Sequence, residues 1–293
     1  MNYGLPYKGS KNGIAKKILD VLPAAPVLYD VFCGGCAITH AAMLSGKYSR
    51  VVANDINGMI PHAFETAITG GFRNEDRWIS RDDFQRLYKT DPYVAICFSF
   101  GNNLREYCYA RELEPYKRAL HYAIFWKDIA PWRELCPESV GRLKSLEPLE
   151  NDERLQRLQS MKRFERLKNL ETLQTDESLC RLQSLERLDR INSVDVPPVL
   201  TVTTGNYRAL TFERGGIIYC DPPYKSTEER YGRDFDFAGF YAWCEHQANP
   251  VFISEYTMPE DLFVPVASFT VTRKMDTKNQ ASALKKSGGR GAS

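Results

Sequence analysis

Val27-Leu28-Tyr29-Asp30-Val31-Phe32-Cys33-Gly34-Gly35-Cys36 and Arg50-Val51-Val52-Ala53-Asn54-Asp55 are the two stretches that decide how this chain folds. The first opens as an apolar run, Val27 to Phe32, the pattern of a strand buried on both faces. Cys33-Gly34-Gly35 then imposes a tight turn, because glycine tolerates backbone angles that let a chain pass close to a ligand. Ala37 to Leu44 is small and apolar and reads as a helix. The second stretch is another buried strand, and it ends in an acid, Asp55.

Strand, glycine turn, helix and acid-terminated strand, in that order, make a βαβ unit of the Rossmann type. Ligands of such sheets lie beyond the carboxyl ends of the strands, and an acid ending the second strand is placed to grip ribose hydroxyls. Downstream, Gly216-Ile217-Ile218-Tyr219-Cys220 is a further short apolar run that stops at Asp221-Pro222-Pro223-Tyr224. Proline lacks the N–H that a sheet ladder needs and fixes φ, so the strand must end in a rigid corner. That corner offers a carboxylate, a carbonyl without a ladder partner and a flat ring, a set that suits the exocyclic amine of a planar base. Read alone, it is also a Pro-rich turn carrying a surface acid.

The remaining pattern fills in a sheet. Ile14, Ile18 and Leu22 keep helical spacing, and Phe235 to His246 reads as a helix. Tyr93 to Phe100, Val199 to Val202 and Pro250 to Ser254 read as strands, and Ser268 to Thr272 alternates like an antiparallel edge strand. The formal net charge of +2 does not by itself announce a nucleic-acid binder. From Arg273 to Arg290 the tail carries Arg273, Lys274, Lys278, Lys285, Lys286 and Arg290 against Asp276 alone. Rich also in Ser, Gly and Ala, it is expected to be mobile, either touching phosphates or simply keeping the chain soluble. No apolar run has the length to span a bilayer and no signal peptide is recognisable, so a cytoplasmic protein is expected. The eight cysteines are scattered, several of them inside apolar runs, as in a reducing compartment. Cys33-x-x-Cys36 has zinc or redox spacing, but no second Cys or His pair lies nearby at ligand spacing, and no metal is expected.

Between the two halves of the sheet lies an unusual segment. From Leu143 to Ile191 an apolar residue recurs at every third position, with Asp152 and Asp176 the two exceptions. An α-helix turns about 100° per residue, so a strict triplet slips by roughly 60° per repeat and circles the helix within about six repeats. A repeat array, or short helices broken near the two Asp, fits the pattern better than one long helix. The third column of the triplet holds Arg154, Arg157, Arg163, Arg166, Arg181, Arg187 and Arg190 among short hydrogen-bonding residues, with no acid between Ser145 and Ser193. Arginine among Ser, Asn and Thr is the set that reads phosphates and base edges. Charges paired locally on a solvated surface explain the same column.

Taken together, Pro6-Tyr7-Lys8-Gly9-Ser10-Lys11, Asp30-Val31-Phe32-Cys33-Gly34-Gly35, Asn54-Asp55 and Ile218-Tyr219-Cys220-Asp221-Pro222-Pro223-Tyr224 resemble the Dam-type DNA adenine-N6 methyltransferases, in the group whose target-recognition region precedes DPPY. The resemblance covers most of the chain outside the triplet segment. It implies a Rossmann-like α/β methyltransferase sheet with an inserted helical or triplet-repeat target-recognition region: a catalytic domain at 1–59 and 200–293, and an insert at 60–199 that includes the repeat at 143–191. It implies S-adenosylmethionine as cofactor, held by Tyr7, Lys11, Asp30, Phe32, Gly34, Asp55 and Asp221, with Asp221, Pro222 and Tyr224 catalytic. Its substrate is double-stranded DNA, with the target base turned out of the stack, in a bacterial or phage-infected cell and with or without a restriction partner. The arginine column is then a candidate DNA-tracking surface, or the repeat joins two copies as a homodimer. Cys36 and Ser10 stand where many members have Gly, and Tyr7 where others have Trp. Cytosine-N4 methylation uses the same amine chemistry, although Asp rather than Ser at 221 leans toward adenine. A non-catalytic DNA-binding scaffold on this fold is the third reading.

Overall fold

The computed structural model of the chain describes residues 3–72, 75–140, 184, 186–188, 199–223, 235–255, 262–271 and 280–287. The chain divides into two compact units, one of Met1–Gly4, Gly9–Glu65 and Val194–Ser293, the other of Leu5–Lys8 and Thr66–Ser193.

The first unit is built on a seven-stranded sheet. Its strands are β1 (Ala25–Asp30), β2 (Tyr48–Asp55), β3 (Val199–Thr204), β4 (Ile217–Cys220), β5 (Val251–Glu255), β6 (Phe263–Val271) and β7 (Gln280–Ser287), in the order β3-β2-β1-β4-β5-β7-β6. The first five run parallel, with Leu28 opposite Val51 on one side and Ile217 on the other. β7 enters antiparallel between β5 and β6. Parallel strands have both faces covered, which is why β1 and β4 read as continuous apolar runs. On one face Val27, Tyr29, Val31, Ile218, Cys220, Val251 and Ile253 pack with Phe240, Tyr241 and Cys244 of a late helix, α8 (Phe237–Glu245). Each such side chain, fully buried, contributes about 1.5–3 kcal/mol. Helices α1 (Ala15–Val21) and α2 (Ala37–Ser45) also belong to this unit, and α2 ends on Gly46 at φ +68°, the left-handed stop that glycine favours. The strand order reverses between β1 and β4, which places the ligand crevice of an open α/β sheet at their carboxyl ends.

The tail is not uniformly mobile, as its composition suggested. Residues 280–287 form β7, with Ile253 opposite Lys285 and Phe252 opposite Lys286. Composition misleads here because a strand between two partners draws its stability from main-chain bonds on both edges, whatever its propensity. The tail on either side of β7 lies outside the described residues.

The described part of the second unit is mainly helical. After α3 (Met59–Ile68), which runs across the division between the units, come α4 (Arg81–Leu87), α5 (Pro92–Cys97), α6 (Glu114–Phe125) and α7 (Ala130–Leu135). Ser80 caps α4, its hydroxyl accepting from the Asp83 amide at 3.1 Å and donating to the Asp83 carboxylate at 2.7 Å. The strand expected at Tyr93 to Phe100 is instead helix α5. Asp91 caps it, accepting from the amides of Tyr93 and Val94, and Pro92 occupies the first turn, where its missing N–H is harmless. Tyr93 through Phe98 are all buried, and a short run apolar on every side carries no period that separates helix from strand. Among the described residues no helix is long and apolar enough to cross a membrane.

Candidate active site

Three strand ends in the first unit deliver three carboxylates. Asp30 is the last residue of β1, Asp55 the last of β2, and Asp221 follows β4 directly. Asp30 is 1% exposed, and its Oδ2 accepts from both the amide (3.0 Å) and the hydroxyl (2.7 Å) of Thr39, in the first turn of α2. Burial raises the Asp30 pKa to about 7; the Thr39 bonds oppose that rise, and the charges of Asp221 and Asp55 add to it. Asp55 accepts from the Gly34 amide through Oδ2 and from the Asn57 amide through Oδ1, each at 2.9 Å. Burial still holds it above the ordinary carboxylate value. Asp221 meets the Lys11 ammonium at 2.6 Å (Oδ1) and 2.7 Å (Oδ2), with the two side chains 18% and 9% exposed. Burial raises Asp221, and the Lys11 charge and hydrogen bond pull it part of the way back.

The glycine turn is tied to both neighbouring strands. The Val31 amide donates to Tyr219 at 3.0 Å, the Cys33 amide to Asn54 at 2.9 Å, and the Cys36 amide closes the turn on the Cys33 carbonyl at 2.7 Å. Gly34 has φ +45°, a conformation that suits glycine. Asn54, 2% exposed, donates through Nδ2 to the carbonyls of Val31 (3.0 Å) and Gly205 (3.1 Å) and accepts from Thr203 Oγ1 at 3.0 Å. The Phe32 ring packs against Tyr207, Phe235 and Phe240 at centroid distances of 5.3, 5.9 and 5.7 Å.

The amino-terminal segment closes over this turn. Gly4, at φ +65°, passes so near that a Cβ on it would stand 2.3 Å from the Gly35 carbonyl oxygen. Its amide donates to His40 Nδ1 of α2 at 3.0 Å, and the Tyr3 amide donates to Asn12 Oδ1 at 2.6 Å, beside Lys11 in the 3₁₀ turn Lys11–Gly13.

Lys11, Asp30, Phe32, Gly34, Asp55 and Asp221 thus share the first unit, at or beside the carboxyl ends of β1, β2 and β4. Tyr7 is half-buried and groups with the second unit, where the Lys8 amide donates to the Asn102 carbonyl at 3.3 Å. Pro222 is buried behind Asp221. Tyr224 lies outside the described residues, as do Arg154, Arg157, Arg163, Arg166, Arg181 and Arg190. Arg187 is half-buried, and burial lowers its guanidinium pKa to about 10. Leu188, one of the triplet leucines, is buried at 1% exposure.

Sequence reading passed over Thr39, the structural role of Asn54, and Ile56. A polar residue three positions after the Cys36 cap, early in a helix that follows a buried Asp, was the available signal for Thr39. Ile56 stands 77% exposed next to Asp55, an apolar surface beside an acid. No group of His, Cys, Asp or Glu among the described residues is placed to hold a metal ion.

The donor set suits one kind of ligand. A carboxylate has about four lone-pair sites, so Asp55 can take hydroxyl donors beyond its two amide bonds. Asp55 and Asp221 both repel charge on Asp30, and carboxylates gathered at one edge disfavour a phosphate and favour a cation. Residues 7–120 match the family of D12 class N6 adenine-specific DNA methyltransferases. The match is less than half of the chain and ends before Asp221. Curated proteins yielded no match. Two solved structures of the rRNA methyltransferase aviRa from Streptomyces viridochromogenes are similar at 11% and 12% identity, each over 93% of this chain and 82% of that one, with TM-scores of 0.34 and 0.31. The fold is defined by the sheet order itself. From Tyr7 to Leu120 this chain is similar to the D12 class N6 adenine-specific DNA methyltransferase family.

Proposed function

We propose that the carboxylate edge of the first unit binds S-adenosylmethionine and that Asp221 and Pro222 present a flipped-out adenine to it. The observation that carries this reading is the gathering of Asp30, Asp55 and Asp221 around the glycine turn, each acid raised by burial and Asp30 raised further by the other two. Such a site favours a cofactor bearing a sulfonium and an ammonium. Asp55 accepts from the ribose hydroxyls, and exposed Ile56 offers an apolar face to the purine. Thr39 fixes Asp30 behind the turn, and Phe32 and Gly34 line the approach.

The cofactor supplies an electrophilic methyl group. The chain's own residues position the nucleophile. Adenine N6 is unreachable in the stack, so the base is turned out of the duplex. The Asp221 carboxylate and the Pro222 carbonyl accept the two N6 hydrogens, which localises the nitrogen lone pair and aims it. Tyr224 stacks on the extruded ring. Lys11 keeps Asp221 ionised and oriented, and the amine proton leaves to solvent after transfer. Positioning and electrostatics account for the acceleration, without a covalent intermediate. The second unit, with the arginine column, chooses the target on double-stranded DNA, and the repeat alternatively pairs two copies.

The test is direct. Purified protein, methyl-labelled S-adenosylmethionine and duplex DNA are combined, and the DNA is digested to nucleosides for mass spectrometry. Labelled N6-methyl-2′-deoxyadenosine is expected. Label on cytosine N4, or none on DNA despite cofactor binding, overturns the assignment.

A further inference from the structure

Two thiols stand together inside the glycine turn, and methyl transfer uses neither. Cys33 and Cys36 have their sulfurs 3.7 Å apart. Cys33 is 7% exposed and Cys36 fully buried. Cys36 adopts φ +58°, the left-handed conformation that glycine takes freely and a side chain strains to hold. A glycine there would relieve that strain and lose the thiol. The Cys36 amide bond to the Cys33 carbonyl, at 2.7 Å, keeps the two residues close. A disulfide spans about 2.0 Å, so side-chain rotation over less than about 2 Å brings the sulfurs to bonding distance.

We infer that Cys33 and Cys36 form a reversible disulfide within the turn and that closing it weakens S-adenosylmethionine binding; the second half rests on the cofactor reading proposed above for this edge. The oxidant is a low-molecular-weight disulfide. Cys33, the less covered thiol, gives up its proton and attacks one sulfur of that disulfide, releasing one small thiol and leaving a mixed disulfide. Cys36 then loses its proton and attacks the Cys33 sulfur, releasing the second small thiol. Two protein thiols are oxidised and one small disulfide is reduced, with no further co-reactant.

Burial pushes both thiols up, so the closed turn resists attack and the reaction proceeds when the turn opens. A cofactor lying against the turn keeps it closed and protects the pair. The crosslink acts on binding because one of the two residues between the cysteines is already committed: the Gly34 amide holds Asp55, the acid assigned above to the ribose. Fixing the ends of the turn at a shorter sulfur separation shifts that amide.

The experiment uses the full chain, reduced and then treated with glutathione disulfide, with and without S-adenosylmethionine. Peptide mapping reads the linkage and calorimetry reads cofactor affinity. The expected result is a Cys33–Cys36 linkage, slowed by cofactor, with affinity lowered several-fold and restored by dithiothreitol. Cys36→Gly suits the backbone angle, and with Cys33→Ala beside it, so that no mixed disulfide forms in the turn, the treated and untreated forms should bind alike. Mixed disulfides only, linkage between other cysteines, or a Cys33–Cys36 linkage with unchanged affinity overturns the proposal. Reduced protein that fails to bind S-adenosylmethionine overturns the cofactor reading and the regulatory half with it, while the peptide map still decides the linkage.

Discussion

In the second unit, several buried or half-buried polar side chains end on main-chain carbonyls: Tyr107 Oη donates to Ile79 at 2.8 Å, Tyr93 Oη to Arg77 at 3.1 Å, Asn102 Nδ2 to Ile96 at 3.0 Å, and His121 Nε2 meets Asp76 O at 2.7 Å. In the first unit they are carboxylates gathered at one edge of the sheet, where burial penalises the charged form of each. A neutral group bonded to a carbonyl repays its desolvation. Like charges brought together out of water do not, and such clusters mark functional sites more often than scaffolds. The comparison teaches where stability was given up for chemistry, and mutations in the two units should therefore fail differently.

The largest effect is expected at Asp221. Asp221→Ala should lower methyl transfer at least about 10³-fold, or about 4 kcal/mol of barrier, measured as turnover on duplex DNA. It also removes the carboxylate paired with the buried Lys11 ammonium, so the thermal midpoint should fall. The double variant Lys11→Met/Asp221→Ala should recover much of the midpoint and none of the turnover. Near-normal turnover in Asp221→Ala breaks the comparison, because Asp221 would then be one more structural polar group.

In the second unit the fully buried Trp132 tests the opposite expectation. Trp132→Ala should remove about 3–5 kcal/mol of stability, read by urea unfolding. Cofactor affinity in the fraction that remains folded should stay near wild type. A selective loss of affinity without loss of stability would give the second unit a cofactor role.

Asp55→Ala sits between these. It deletes the acceptor for the Gly34 and Asn57 amides along with the proposed ribose contact. A loss of about 10–100-fold in S-adenosylmethionine affinity is expected, as for a charge-assisted hydrogen bond worth about 1.5–3 kcal/mol. Calorimetry decides it, and unchanged affinity would remove Asp55 from the site.

Much of the first unit was legible because its local signals agree. β1, β2 and β4 are short apolar runs punctuated by glycine, acid or proline, and each ends within a residue or two of where its pattern stops. Lys11 and Asp221 were each visible as motif residues, but their ion pair joins positions 210 residues apart, and no local pattern reports that. The second unit was harder for the same physical reason in reverse. Tyr93 to Phe98 is apolar on every side, so only the Asp91-Pro92 cap separates helix from strand. β7 was missed because its sequence is small and basic, while its pairing depends on β5 and β6. Thr39 became visible as a site residue only once Asp30 was seen to turn inward.

The mildest test returns to Asp30, whose pKa moves from the ordinary 3.8 to about 7. The sign follows from proton uptake. Between the two values the folded chain holds a proton on Asp30 that the unfolded chain has lost, so raising the pH pulls toward unfolding. The contribution is complete below about pH 4 and is lost as the pH rises through about 7, with a slope of up to about 1.4 kcal/mol per pH unit. Asp30→Asn keeps an oxygen to accept from Thr39 and cannot titrate. Its unfolding free energy, measured in urea across that range, should fall less steeply with pH than wild type. Asp55 and Asp221, also raised, leave a residual slope of the same sign. An identical slope in both proteins would mean that Asp30 is ionised in the folded state. The carboxylate cluster would then carry one more full negative charge at neutral pH, which would strengthen its preference for a cationic cofactor and remove Asp30 from the stability cost assigned to this edge.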